Sequence, residues 1–180
     1  YQGNPNYPGA ACGVSGTTYN DVWSFDPATN SWTKPVIAGG PPSARREHAL
    51  VYDPANQEFV LFGGVDASGN PVADTTWTLT CNATHSNCTW AAGGSGPSAR
   101  YGHAMAWEPA TGRVVLFGGH DGVSPLADVW AWNGSTNSWS GVSPSGTPPS
   151  ARLRAALGQA DVVTPGLLLF GGRDAGGPRN

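Results

Sequence analysis

The chain has 180 residues, of which 39% are hydrophobic and 12% charged, with a net charge of −3 and a pI near 5.7. That length is ample for one packed domain, the acidic balance excludes the basic footprint of a nucleic-acid binder, and no apolar run approaches the ~20 residues that span a bilayer. Its 26 Gly and 16 Pro predict many short strands between turns rather than long helices, while eight Trp and five Tyr supply apolar surface to bury.

Residues 1–41 begin with Tyr1 rather than Met and carry no signal-peptide pattern, so the sequence reads as a mature or excised piece. The stretch “NDVWSFDPATNSW” (20–32) predicts two strands joined by a turn, with Trp23 on the first and Trp32 on the second. Upstream, “YQGNPNYPGAACGVSGTTY” is loop-like and holds Cys12, which has no neighbouring cysteine.

Residues 42–96 open with “PSARREHALVYDPANQEFVLFGG”. “HALVY” alternates before the turn “DPANQE”, as a half-buried strand does. “FVLFGG” is continuously apolar, as for a strand covered on both faces, and its Gly pair lets the backbone turn tightly. “ADTTWTLTCNATHSNCTW” (73–90) then supplies a third and a fourth strand.

Residues 97–148 repeat the pattern as “PSARYGHAMAWEPATGRVVLFGG” and “ADVWAWNGSTNSW”. Residues 149–180 begin a third copy, “PSARLRAALGQADVVTPGLLLFGG”, in which Ala155 stands where the others have His. The first Gly of each pair falls at 63, 118 and 171, a period near 50 that points to propeller blades. Trp23 to Trp32 and Trp130 to Trp139 are nine residues apart, but Trp77 to Trp90 is thirteen. The extra residues lie in a hairpin turn with Cys81 and Cys88 on its arms. A cross-strand disulfide is the favoured reading there, and a metal site of Cys81, His85 and Cys88, with no fourth ligand evident, is the rival.

“PSARxxHA”, an apolar strand ending in “FGG”, then “DVWxF”, a turn and a Trp resemble the kelch repeat. The resemblance covers nearly the whole chain and implies an all-β fold, a kelch-type β-propeller of four-stranded antiparallel blades. On that basis 1–41 is an N-terminal half-blade (strands three and four), 42–96 and 97–148 are whole blades, and 149–180 is a C-terminal half-blade (strands one and two). Two whole blades and two halves add up to fewer than the roughly four to eight blades of closed propellers. The chain is then one segment of a longer propeller, half of a six-bladed ring closed by a second copy, or the unit of a head-to-tail filament. Its partners are accordingly copies of itself or missing blades of a longer chain.

Two chemistries compete at the repeated Arg-x-x-His. Arg45, His48, Arg100, His103 and Arg152 either satisfy backbone carbonyls between blades or take a functional role, the arginines reading an acidic ligand as those of kelch adaptors do by resemblance. Asp66, Asp121 and Asp174 follow the Gly pairs, where an Asp can accept from backbone amides, and His120 beside Asp121 reads as solvated. Asn82, Asn87 and Asn133 each lie in an N-x-[ST] sequon on a predicted turn and are candidate glycan acceptors. No nucleophile elbow, HExxH, P-loop or dinucleotide fingerprint is present. The expectation is a non-catalytic interaction or assembly module that takes protein or glycan ligands and needs no cofactor or metal. Its closely spaced cysteines and low charge suggest an extracellular or cell-surface setting. The alternative is the propeller portion of a secreted copper radical oxidase or sugar epimerase whose catalytic residues lie outside this segment. That copper chemistry needs two Tyr and two His converging, one Tyr crosslinked to Cys, and Tyr7 and Cys12 are near in sequence only.

Overall fold

The computed structural model describes residues 17–73, 75–160, 165–174 and 177–178. Tyr7 and Cys12, singled out above, lie outside the described residues. Every regular element among those described is a β-strand.

β1 (Ser24–Asp26) and β2 (Ser31–Thr33) form a hairpin in which Phe25 opposes Trp32. Its turn is closed by Asp26, whose carboxylate accepts from Ala28 N at 2.8 Å and Thr29 Oγ1 at 2.9 Å. After β3 (Val36–Ala38), the strands β4 (Ala49–Asp53), β5 (Glu58–Phe62), β6 (Thr75–Cys81) and β7 (Asn87–Ser95) make the first whole blade, an antiparallel meander. β8 (Ala104–Glu108), β9 (Arg113–His120), β10 (Pro125–Asn133) and β11 (Ser138–Val142) make the second. β12 (Ala156–Gln159) and β13 (Leu167–Phe170) form a closing hairpin, followed by the short pair β14 (Arg173–Asp174) and β15 (Gly177–Pro178). The same local chemistry folds the β4–β5 and β8–β9 hairpins. Asp53 and Glu108 accept backbone amides of their turns as Asp26 does, and Asn30, Gln57 and Asn137 take the left-handed conformation that ends the turn.

Two features go beyond the sequence pattern. β3 adds a fifth strand to the first blade, parallel to β7, with Val36 opposite Asn87 and Ile37 opposite Cys88. The longer hairpin of that blade extends β7 at this end and offers β3 an edge to pair with. Cys81 and Cys88 are direct cross-strand partners and form a disulfide. Asn82 folds the hairpin tip, its Oδ1 accepting from Ser86 N and Asn87 N, and Asn133 Oδ1 accepts from Ser135 N in its own turn.

The blades pack face to face. Val60 and Phe62 of β5 meet Met105, Val114, Leu116 and Trp132 of the second blade in one buried cluster. Leu61, Leu79, Cys88 and Trp90 form a second cluster that reaches Val22 beside the leading hairpin. Alternate residues of the apolar strands therefore serve opposite neighbours, which is why “FVLF” and “VVLF” read as continuous apolar runs. Trp139 Nε1 donates to Thr76 Oγ1 at 2.8 Å and ties the two whole blades together.

Candidate binding face at the mouth of the propeller

The antiparallel order sets the start of each first strand beside the end of the second, so “PSAR” and the Gly pair meet at one rim. Arg100 Nε donates to Ser98 O, Nη2 to Ser98 Oγ and Nη1 to Gly118 O at 3.0 Å. Asp128 accepts from both terminal nitrogens, at 2.6 and 2.9 Å, and also from Trp130 Nε1 at 2.7 Å. Arg45 repeats the set on Ser43 and Gly63, and Arg152 repeats it on Ser150 and Gly171. Arg45 and Arg100 are buried. All three guanidinium groups thus hold the carbonyls that the Gly pairs present.

The two histidines diverge. His103 is buried, its ring edge-on to Phe62 at 5.7 Å and close to the place a Cβ on Gly63 would take. Desolvation, with the Arg100 and His48 charges behind it, pushes its pKa down to about 3, so the ring is neutral at ordinary pH. His48 occupies the same position on the first blade and is exposed, since among the described residues no complete blade covers that side. Partial desolvation and the Arg45 charge hold its pKa below the usual value.

The two residues between Arg and His tell another story. Glu47, Gly102 and Arg154 share one repeat position and one backbone conformation, with φ of 59°, 61° and 58°. Gly102 N donates to Glu47 O at 2.9 Å and Arg154 N to Gly102 O at 2.5 Å, a main-chain line that steps from blade to blade. Arg154 Nη2 then reaches Glu47 Oε1 at 2.7 Å. Arg46 lies beside Glu47, with Nη1 3.4 Å from Oε1, and Tyr101 stacks on His120 at 5.2 Å. His120 is not a solvated side chain of the exposed kind expected: it is half-buried, and its Nδ1 accepts from Gly122 N at 3.0 Å. Asp121 and Asp66 accept backbone amides of their loops, which holds both carboxyls below their usual pKa.

The mouth is therefore an invariant backbone frame that carries different side chains on each copy: Arg46 and Glu47, Tyr101 and Gly102, Leu153 and Arg154. The charges among them, half-buried Arg46 and Glu47 and exposed Arg154, belong to the “xx” of “PSARxxHA”, not to its fixed letters. The sequence signal was available as the two variable positions inside a constant motif. His85, the proposed third ligand of a metal site, instead lies 3.4 Å from Ser24 Oγ, and the paired Cys81 and Cys88 form a disulfide.

The sequence profile of the KLHDC2/KLHL20/DRC7 kelch-repeats domain matches residues 8–179. The chain belongs to the kelch-repeat family. It is 34% identical over 182 aligned positions to serine/threonine-protein phosphatase BSL2 of Arabidopsis thaliana, covering 96% of this chain and 17% of that protein. It is 31% identical over 115 positions to the Rab9 effector protein with kelch motifs of Xenopus laevis, covering 62% of this chain and 30% of the effector. The kelch chain thus spans a minor part of these curated relatives. Among solved structures, that titled “Structure of YjhT” superposes with a TM-score of 0.65 at 20% identity, covering 88% of this chain and 47% of that one. This last likeness speaks for the kelch-type propeller fold alone.

Proposed function

We propose that this chain is an exported, non-catalytic recognition module that binds a protein or glycan ligand across the mouth formed by Arg46, Glu47, Tyr101, His120 and Arg154. The carrying observation is the division of labour within “PSARxxHA”. Its fixed arginines hold the frame, while the variable pair between Arg and His presents a different surface on each copy. A rigid frame with variable loop residues is the general arrangement of binding sites built on β-scaffolds. The family supports the reading, since kelch domains mediate protein interactions, and similar blades form a minor part of both a phosphatase and a Rab9 effector. A mixed-charge mouth with an aromatic pair suits a polar ligand, held by Arg46 and Arg154 and by stacking on Tyr101. The disulfide and the low charge support export.

Immobilised chain and an Arg46→Ala/Tyr101→Ala/Arg154→Ala variant are compared against secreted proteins of the source and against a glycan array. Ligands retained by the parent and lost by the variant, with the unfolding midpoint of the two chains close, support the mouth. Retention that the triple variant leaves unchanged refutes it.

A further inference from the structure

The second variable position of “PSARxxHA” holds Glu47, Gly102 and Arg154 on its three copies, all in the left-handed backbone conformation. One backbone shape presents this position alike on each copy, and the main-chain line through Glu47, Gly102 and Arg154 sets the three side by side. The middle one has no side chain. A Cβ on Gly102 would stand 3.3 Å from Arg154 Cγ and 3.4 Å from Leu153 Cβ, so the arginine stem lies along the space that a larger residue there would use. Arg154 thereby passes over the second copy and reaches the first. Its Nε donates to Glu47 Oε2 at 3.2 Å and its Nη2 to Glu47 Oε1 at 2.7 Å. Residues 107 apart in sequence are joined across the mouth.

Two N–H groups of one guanidinium on two oxygens of one carboxylate make the fork by which an arginine grips a ligand's carboxylate or phosphate. Here the fork is filled from within the chain. Arg46 adds Nη1 at 3.4 Å from Glu47 Oε1, so the one carboxylate lies between two guanidinium groups. It is half-buried there, which strengthens the contact relative to a fully solvated pair. Two further acids of the rim, Asp66 and Asp121, accept backbone amides of their own loops. The fixed arginines Arg45, Arg100 and Arg152 are turned onto the carbonyls of the Gly pairs. An incoming anion therefore meets a fork that already holds its own kind of group.

We infer that Glu47 sets the ligand selectivity of the mouth by acting as a built-in anion. It occupies the fork of Arg154 and screens Arg46, so ligands bearing a carboxylate or phosphate are rejected and the mouth takes ligands that bring it no negative charge. An anion has either to break a two-point charge-assisted contact and leave Glu47 displaced beside it, or to bind next to Glu47 against like-charge repulsion. A hydroxyl or amide meets neither cost, since it can share the donors and acceptors of the pair without displacing either. Repulsion of the wrong ligand is a general source of selectivity. The inference rests on the mouth being the binding face, yet the two fail separately. The mouth is tested by the natural ligand and the triple variant, whereas Glu47 is tested by small anions alone.

Citrate and inorganic phosphate are the probes, titrated calorimetrically into the 180-residue chain and its variants at one low ionic strength. The parent binds neither at millimolar concentration. Glu47→Gln keeps the side-chain shape, removes the charge and tightens binding of both roughly tenfold or more, the scale of one unit charge ~4 Å away. Glu47→Ala removes the carboxylate outright and gives the same gain. Adding Arg154→Gln to either variant abolishes it. Glu108→Gln makes the same change in net charge at the far end of β8 and gains nothing. Unfolding midpoints establish that each variant is folded. Folded Glu47→Gln and Glu47→Ala chains with the parent's anion affinity overturn the inference. So does a parent that already binds either anion as tightly as they do, a gain that persists without Arg154, or an equal gain in Glu108→Gln.

Discussion

His103 makes the stability of this propeller depend on pH in a window where few other groups act. Its pKa falls from 6.5 in the unfolded chain to about 3 in the folded blade, because the ring is desolvated against Phe62 and faces the Arg100 and His48 charges. The folded-state pKa is depressed, so the unfolded chain takes up a proton below pH 6.5 that the folded chain refuses. Stability from this group is full above pH 6.5 and is lost progressively as pH falls towards 3. The slope is about 1.4 kcal/mol per pH unit, which amounts to ~2.7 kcal/mol between pH 6.5 and 4.5. His48 acts in the same direction. Asp21, Asp66, Asp121 and Asp128 have lowered pKa values and lose their contribution only below about pH 4, where unfolded carboxylates protonate. Glu58 acts oppositely: burial and then the Asp53 charge raise its pKa, so its contribution weakens as pH rises. Urea unfolding followed by Trp fluorescence at half-unit steps from pH 7.5 to 4.5 measures the sum. His103→Gln, which keeps a polar side chain of related size and cannot titrate, removes about one proton's worth of slope across that window. A His103→Gln slope equal to the parent's refutes the assignment of the pH dependence to this ring.

Three further outcomes follow from the frame. Asp128→Ala leaves the Arg100 guanidinium buried without its carboxylate and costs ~3 kcal/mol, read as a shift of the urea midpoint at constant m. Gly118 sits at φ 64° with carbonyl oxygens of Arg152 and Leu126 at 2.7 and 2.9 Å from where a Cβ would go, so Gly118→Ala costs more than ~2 kcal/mol. An equal cost for Gly146→Ala, whose Cβ would meet open space, would point to backbone conformation alone. Reduction of Cys81–Cys88 frees a short loop and lowers stability by ~2.5 kcal/mol, measured by unfolding with and without dithiothreitol under matched conditions.

Blade identity was legible because it is local. The apolar runs, the Gly pairs and the turn acids Asp26, Asp53 and Glu108 act within one hairpin, and each copy repeats them. The pairing of Cys81 with Cys88 was legible for the same reason, as both lie on the arms of one turn. The role of the “PSAR” arginines was open in the sequence, because carbonyl binding and ligand binding need the same residue type. Geometry turns them inward onto Gly63, Gly118 and Gly171. The fifth strand β3 was not legible, since a three-residue parallel pairing leaves no periodicity to read.

By itself, then, the sequence determined the repeat and the strand order within each blade and favoured the disulfide over a metal site, all of which rest on contacts between residues near in the chain. Tertiary structure alone decided which histidine is buried and how the variable pair of each copy is set around the frame. Those outcomes depend on what the neighbouring blade supplies. His48 and His103 share one motif, and only His103 has a completed blade against it.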